Sequence, residues 1–442
     1  MDEPLIRALR TANPWLRGEP LEPWFERYLP PVYIQRRLRV VADHRVVLVV
    51  GPRQAGKSTV IWKILADAGR PALYLNCEDP SIHTWLHSPA LFLADLEELA
   101  PDVPVLFFEE VQALPEAGLF LKGLVDHRTG KKIYATGSAS FDLEAKTRES
   151  LAGRARRHLL LPLSIAEIAE VSDRRQSLAG ARPGAALRKA DLADTIERLL
   201  VFGGYPTVHM AAEPRAELAT LVESFIVRDA SDRFRIRHVA ALRKILELAA
   251  SQIGNLCNFS EWAALAGISQ NTVAEYCRLL EETHVLRLLR PFIGGKRAEL
   301  TKAPKAYFLD NGIRNQIFGG FAAAKHRADR GALVENLVFS ELYKNLNPLL
   351  DSVRYWRSKS KAEVDFVVEH QGRLLVCEAK AGDVRGKISR SARSFIDAYR
   401  PERFLIVHDG ARENLDLGGT PVELLGLTEL DATVRRFLSR TS

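Results

Sequence analysis

Val46-Val47-Leu48-Val49-Val50-Gly51-Pro52-Arg53-Gln54-Ala55-Gly56-Lys57-Ser58-Thr59 is the stretch on which the reading of the whole chain turns. Its five leading apolar residues have the pattern of a strand buried on both faces. They run straight into a Gly-x-x-x-x-Gly-Lys-Ser loop, and Val60-Ile61-Trp62-Lys63-Ile64-Leu65 then starts a helical pattern. Gly51 and Gly56 permit a turn tight enough for consecutive backbone N–H groups to face one anion, and the helix opening at Lys57 adds its positive dipole end. The segment from Gly51 through Pro52, Arg53, Gln54, Ala55, Gly56, Lys57, Ser58 and Thr59 therefore reads as a phosphate cradle. Lys57 is expected to reach the β- and γ-phosphates and Ser58 the Mg²⁺. A strand before the loop and a helix after it favour this over a structural turn.

Working outward, 442 residues exceed one ordinary core, and length alone suggests about three domains. No apolar run approaches the roughly 18 residues needed to span a bilayer, and Met1-Asp2-Glu3-Pro4 lacks a basic-then-apolar signal, so a cytoplasmic protein without membrane partners is expected. Cys77, Cys257, Cys277 and Cys377 are scattered with no Cys-x-x-Cys pair. That argues against a zinc site or a disulfide framework and for small buried residues. The net charge of +7 favours polyanionic partners over acidic substrates or membranes, although a solvated basic face explains it equally well.

Strands alternating with helices predict a parallel α/β sheet. Ala72-Leu73-Tyr74-Leu75-Asn76-Cys77-Glu78-Asp79 is a second short apolar run, and Val103-Pro104-Val105-Leu106-Phe107-Phe108 a third, ending in Glu109-Glu110-Val111-Gln112. An aliphatic strand closed by two carboxylates is the second half of a nucleotide-hydrolysing site. Glu109 would support Mg²⁺ through water and Glu110 would polarise the attacking water as general base. Glu109 stands where the shorter Asp is usual. A fourth strand, Lys132-Ile133-Tyr134-Ala135-Thr136, runs into Gly137-Ser138, so Thr136 and Ser138 are candidates to sense the γ-phosphate or hold the water. Arg148 to Arg157 is rich in guanidinium groups; Arg154 reads as an arginine finger, in cis or in trans, or as part of a basic surface.

These motifs in order, with Leu151-Ala152-Gly153-Arg154, Leu161-Pro162-Leu163-Ser164 and Glu167, Gly203-Gly204-Tyr205-Pro206 and Val227-Arg228-Asp229, resemble a widespread bacterial and archaeal family of AAA-type, STAND-related ATPases with a C-terminal domain of unassigned function. The resemblance implies ATP and Mg²⁺ as cofactors and homo-oligomers, with a hexameric ring as the expected form. It supplies no substrate.

Residues 1–30 form a helical, arginine-rich leader expected to pack on the nucleotide domain, taken as 31–190, and 173–190 read as a surface loop. Residues 191–239 are expected to form a helical lid. From 240 to 300, Ser260 is expected to cap a short helix that Gly267 ends, Ser269 to cap a longer one, and Val285-Leu286-Arg287-Leu288-Leu289 to begin a hairpin. This is a winged helix-turn-helix layout, whose second helix would offer Gln270, Asn271, Thr272, Glu275 and Arg278 to DNA, or serve only as a packing lid.

The last domain, 301–442, carries Glu363-Val364-Asp365-Phe366-Val367-Val368-Glu369, a turn at Gln371-Gly372, then Leu374-Leu375-Val376-Cys377-Glu378-Ala379-Lys380. Asp, a hairpin, then Glu-x-Lys resembles the PD-(D/E)xK nucleases, with Val364 in place of the Pro. Pairing sets Asp365 beside Glu378 to bind Mg²⁺ jointly, and alternation puts Lys380 on the same face to orient a water. Glu335 from a preceding helix would complete the metal shell. Arg354, Arg357, Lys359, Lys361, Arg385, Lys387, Arg390 and Arg393 surround the hairpin and suit a phosphodiester backbone. The expected architecture is an AAA-type P-loop domain with lid, a winged helix and a nuclease-like α/β domain. The function this predicts is ATP-dependent processing of branched or broken DNA. A nucleotide-gated switch and an ATPase-coupled winged-helix regulator are the alternatives.

Overall fold

Runs of aliphatic residues buried on both sides make the first sheet. The computed structural model describes residues 3–38, 40, 43–138, 151–178, 185–224, 236, 238–292, 303–348 and 350–439. The chain divides into two units, Met1–Leu161 with Glu282–His284, and Pro162–Glu281 with Val285–Ser442.

The first unit contains α1 (Glu3–Ala12), α2 (Leu21–Glu26), β1 (Val46–Gly51), α3 (Lys57–Ala68), β2 (Ala72–Asn76), α4 (Pro89–Leu99), β3 (Val105–Glu109), α5 (Ala117–Asp126), β4 (Lys132–Ser138) and β5 (Ala155–Leu159). The sheet order is β2-β3-β4-β1-β5 with every pairing parallel. All six residues of β1 are buried, as a strand covered on both faces requires. Its residues alternate between two cores. Val46, Leu48 and Val50 pack with Leu106, Phe108 and Phe120, and Val47 and Val49 with Ile61, Trp62, Tyr74 and Phe107. The leader contributes to both: Leu5 and Leu9 join the first, Trp24 and Phe25 the second. It also closes the free edge of β2. The Asn13 side chain donates to Tyr74 O at 3.0 Å and accepts from Tyr74 N at 2.7 Å, and Trp15 donates to Ala72 O at 2.9 Å. Side chains thus take the ladder positions that a neighbouring strand would fill.

The second unit opens with α6 (Ile165–Leu178), α7 (Ala185–Phe202), α8 (Pro206–Met210), α9 (Pro214–Ser224), α10 (Val239–Ser251), α11 (Phe259–Ala266) and α12 (Gln270–Glu282). A hairpin of β6 (Leu286–Leu289) and β7 (Lys305–Phe308) follows, then α13 (Asn311–Phe318) and α14 (Arg330–Asn345). The rest is β8 (Asp351–Arg357), β9 (Glu363–His370), β10 (Arg373–Ala379), α15 (Arg390–Tyr399), β11 (Arg403–Val407), β12 (Glu413–Leu417), β13 (Thr420–Leu425) and α16 (Leu427–Leu438). The sheet here is mixed, β12-β13-β11-β10-β9-β8, with β10, β11 and β13 parallel to one another.

Several local expectations need correction. The supposed loop at 173–190 is helical at both ends, because α6 continues to Leu178 and α7 begins at Ala185; good helix formers outweigh the polar composition. Pro183-Gly184 lies outside the described residues, as does Val227-Arg228-Asp229. Helix α11 is capped by Asn258, whose side chain accepts from Ser260 N and Glu261 N at 3.2 and 3.3 Å, rather than by Ser260. Ser269 caps α12 as read, accepting from Thr272 N at 3.1 Å, and Gly267 ends α11 with φ 66°. The hairpin closes on β7, so it crosses the expected boundary at 300.

Two motifs of the family resemblance have local structural causes. Ser164 and Glu167 form a reciprocal cap at the start of α6: Glu167 accepts from Ser164 N at 2.9 Å and Ser164 Oγ from Glu167 N at 3.2 Å. Gly203 and Gly204 lie against the buried Asp310 carboxylate, which accepts from Gly204 N at 2.7 Å and caps α13 through Ile313 N at 3.1 Å. A Cβ on Gly203 would stand 2.0 Å from Asp310 Oδ1, and φ there is 74°. Gly203→Ala should accordingly destabilise the second unit by about 2–4 kcal/mol. Chemical denaturation followed by tryptophan fluorescence would read this, and an unchanged midpoint would contradict the packing described.

Candidate functional site

Because all five strands of the first sheet are parallel, β1, β3 and β4 end at one edge, and the loop 51–58, Glu109-Glu110 and Thr136 collect there. A Cβ on Gly51 would lie 2.0 Å from the Leu160 carbonyl oxygen, so glycine is required where β1 leaves the sheet. Gln54 and Gly56 take φ of 58° and 90° to fold the loop back onto α3, whose first turn holds Lys57, Ser58 and Thr59. Lys57 is buried; its Nζ donates to Pro52 O at 3.1 Å and lies 3.9 Å from Glu110 Oε1. The buried Arg36 braces the loop from the leader side, donating to Ala55 O at 2.7 Å and Leu161 O at 2.5 Å.

Glu110 adopts φ 52°, which breaks strand alternation and turns its side chain toward Lys57. Its N–H donates to Thr136 Oγ1 at 3.1 Å, and Gln112 donates to its Oε2. The buried Thr136 hydroxyl is thus used to hold the Glu110 backbone. Ser138 pairs with Gly51 across β4 and β1. Glu109 stays in strand register, on the face of Val105 and Phe107 that packs with α3, and accepts from the Tyr74 hydroxyl. The Glu109 carboxylate and the Ser58 hydroxyl are both hard oxygen groups of the kind Mg²⁺ takes as ligands. Arg154 is elsewhere. Its carbonyl accepts from Val46 N at 2.9 Å, at the start of β1, and its Nε contacts Asp126 at 2.6 Å. At about 3.3 Å per residue the loop is some 15 Å further along that strand.

In the second unit the β9–β10 register, with Cys377 opposite Phe366, puts Glu378 across from Asp365 as expected. Asp365 Oδ2 accepts from Ala379 N at 2.8 Å, and Lys380 Nζ lies 3.1 Å from Glu378 Oε2. Ser389, which caps α15, donates to Glu378 Oε1 at 3.0 Å. Burial pushes both carboxylates above their ordinary range, and Lys380 opposes this in each. The Lys380 ammonium is itself held up by Glu378 and Asp365 against the downward pull of burial. Glu335 of α14 is pushed up to about 7 by burial and then by Asp365. It accepts from the Tyr307 hydroxyl at 2.6 Å, while Lys305, also on β7, pairs with Glu363. Among the described residues no three His, Cys, Asp or Glu side chains are gathered to hold one metal ion. Asp365 and Glu378 pair with Lys380, and Glu335, held by the Tyr307 hydroxyl, is close enough for Asp365 to push its carboxyl up. Around them Lys359, Lys361, Arg385, Lys387, Arg390 and Arg393 are exposed, whereas Arg354 and Arg357 are half-buried. On α12, Gln270, Asn271, Glu275 and Arg278 are exposed and Thr272 is half-buried.

Sequence reasoning missed Arg36, Tyr74, Gln112, Lys305, Tyr307 and Ser389. Gln112 carried a signal, as the last residue of the Glu109-Glu110-Val111-Gln112 motif, and Tyr74 a weaker one from its place on a short apolar strand. Arg36→Ala, which removes the loop's buried bond at Ala55 and a second at Leu161, should weaken nucleotide binding about tenfold in a fluorescent-nucleotide titration.

Compared with known proteins, residues 43–169 match a family described as AAA domain, while 193–324 and 330–427 match two domains of unknown function, DUF8612 and DUF4143. Uncharacterized proteins Rv2008c of Mycobacterium tuberculosis and Mb2031c of Mycobacterium bovis are each 29% identical over 377 residues, 84% of this chain and 78% of theirs. Among solved structures, the replication initiator DnaA bound to AMPPCP and single-stranded DNA aligns with 54% of this chain and 82% of its own at 12% identity and TM-score 0.24. AMPPCP-bound DnaA from Aquifex aeolicus aligns with 53% and 81% at 13% identity and the same score. Superposition this loose carries no argument about function. No helix among the described residues is long and apolar enough to cross a membrane.

Proposed function

We propose that this chain, which carries a P-loop ATPase domain of the AAA type, hydrolyses ATP to drive its engagement with DNA. The observation that carries the reading is the meeting of Lys57, Ser58, Glu109 and Glu110 at one edge of a parallel sheet, with Lys57 Nζ 3.9 Å from Glu110 Oε1. The loop amides and Lys57 hold the phosphates, and Ser58 directly and Glu109 through water would hold Mg²⁺, which would supply charge neutralisation at the phosphate oxygens. Glu110, oriented by Thr136 and Gln112, takes the proton of the attacking water. Arg154 stands at the far end of β1 from its own loop, so it serves as a finger for a neighbouring copy in a homo-oligomeric ring. DNA is bound by α12 and by the exposed cations around β9 and β10.

Steady-state ATP hydrolysis without DNA and with single-stranded, duplex and four-way-junction DNA tests this. DNA should stimulate turnover severalfold. Lys57→Ala should abolish it, and Glu110→Gln should lower it by about 10²-fold or more with nucleotide binding retained. A response flat to every DNA leaves a nucleotide-gated switch and rejects coupled processing.

The cross-strand pair Asp365 and Glu378, with Lys380 at 3.1 Å, supports a second activity, Mg²⁺-dependent phosphodiester cleavage. The pair would hold the ion and Lys380 would orient the water. End-labelled DNA should be cut by the wild type and left intact by Asp365→Ala with ATP hydrolysis unchanged; absence of cutting by the wild type on every DNA form limits this site to binding.

A further inference from the structure

Glu109 is one methylene longer than the residue its position usually holds, and the structure contains a device that takes up the difference. Strand register pairs Tyr74 with Phe107 and Asn76 with Glu109, so alternation puts the Tyr74 and Glu109 side chains on one face, one pair apart along the strands. From there the phenol leans along the strand and donates to Glu109 Oε2. The ring is a fixed post. It is buried, with its centroid 5.0 Å from that of Trp62 and 5.5 Å from those of Tyr28 and Phe107. Its backbone is pinned on both N–H and C=O by Asn13. Trp62, against which it rests, lies four residues after Ser58 on the same face of α3. Glu109 is thereby tied to an aromatic cluster that packs on the helix carrying Ser58.

We propose that Tyr74 is a positioning residue for the nucleotide-borne Mg²⁺: its hydroxyl fixes Glu109 Oε2, restrains the longer side chain to the reach of an aspartate, and presents Oε1 to metal-bound water. The inference rests on the ATP-binding reading given above. An outer hydrogen bond of this kind orients a metal-supporting carboxylate and raises its effective affinity, and its loss typically costs about 10- to 100-fold in metal binding. Gln112 acts on the adjacent Glu110 in the same manner, so each carboxylate of the pair has its own restraint.

The test is Tyr74→Phe in the full chain, which keeps the ring and removes only the donor. Binding of a fluorescent ATP analogue is measured first in EDTA and then across a Mg²⁺ titration, with Lys57→Ala beside it. The expected result is wild-type nucleotide affinity in EDTA and a Mg²⁺ half-saturation raised about tenfold. Glu109→Asp supplies the second leg. If the hydroxyl acts through the length of Glu109, removing it from the Glu109→Asp variant should change Mg²⁺ half-saturation far less than removing it from wild type. A Tyr74→Phe protein that binds Mg²⁺ as wild type does, with only its melting temperature lowered, overturns the proposal and leaves Tyr74 as packing. Equal effects of Tyr74→Phe in wild type and in the Glu109→Asp variant overturn the length argument. Nucleotide binding that survives Lys57→Ala would instead reject the ATP-site reading itself, a result recognisable because it does not involve Tyr74.

Discussion

Parallel pairing of β1 with β4 on one side and β5 on the other is the constraint from which the first unit follows. A strand hydrogen-bonded on both edges and covered on both faces must be apolar throughout, and all six of its residues are buried. It must also leave the sheet abruptly, since the Leu160 carbonyl stands where a Gly51 Cβ would be. The phosphate loop is therefore the way this strand can end beside β5. Parallelism then brings the ends of β3 and β4 to the same edge, so loop, carboxylates and Thr136 meet without any separate device.

The cost of that sheet is an unpaired edge at β2, and the leader covers it. Asn13 imitates a strand by bonding both backbone groups of Tyr74, and Trp15 takes the next carbonyl. The segment that reads in sequence as an arginine-rich appendage is thus part of the sheet's closure. It also supports the site, for Asn13 fixes the strand that carries Tyr74, while Arg36, just beyond it, braces the loop at Ala55. In the second unit the analogous integration is made by β7. This strand completes the hairpin with β6 and delivers Tyr307 to Glu335 and Lys305 to Glu363. A polar group from the β6–β7 hairpin thus reaches each of two carboxylates, Glu335 on α14 and Glu363 on β9, and buried bonds join Asp310 to Gly204, just after α7, and Phe308 to Asn336 on α14.

What is legible in the sequence is whatever depends on local spacing. The loop, strands β1 to β4, Gly267 and Ser269 at their helix ends, the turn at Gln371-Gly372 and the Asp365–Glu378 pairing all follow from periodicity, glycine chemistry and register, which involve near neighbours only. The misreadings have the same root. Strand β5 hides in an arginine-rich run because Ala155-Arg156-Arg157-His158-Leu159 is half-buried at the sheet edge and carries no apolar pattern. Residues 173–178 and 185–190 read as a loop because polar and small residues suggest one, while their helix propensity is carried by ordinary Arg, Gln, Ala and Leu. Ser260 and Asn258 are residue types that cap about equally well, and only the chain's entry angle decides between them. Arg36, Tyr307 and Lys305 act on partners 19, 28 and 58 positions away, so no spacing rule could expose them.

The two Mg²⁺ assignments differ in kind for a reason visible in their charges. At the nucleotide edge the carboxylates face a lysine and two neutral donors, Tyr74 and Gln112, and most of the ligands of an ion there would come from phosphate and water. In the second unit, burial and mutual repulsion raise Glu335, Asp365 and Glu378, with Lys380 and Lys305 relieving part of the strain. Lys380, half-buried and 3.1 Å from Glu378, already acts there as a counter-ion. The first site is organised by hydrogen bonds that leave charge to the ligand. The second is already largely neutralised by the protein, so an ion entering it gains less, and occupancy should depend on a bound phosphodiester bringing further negative charge.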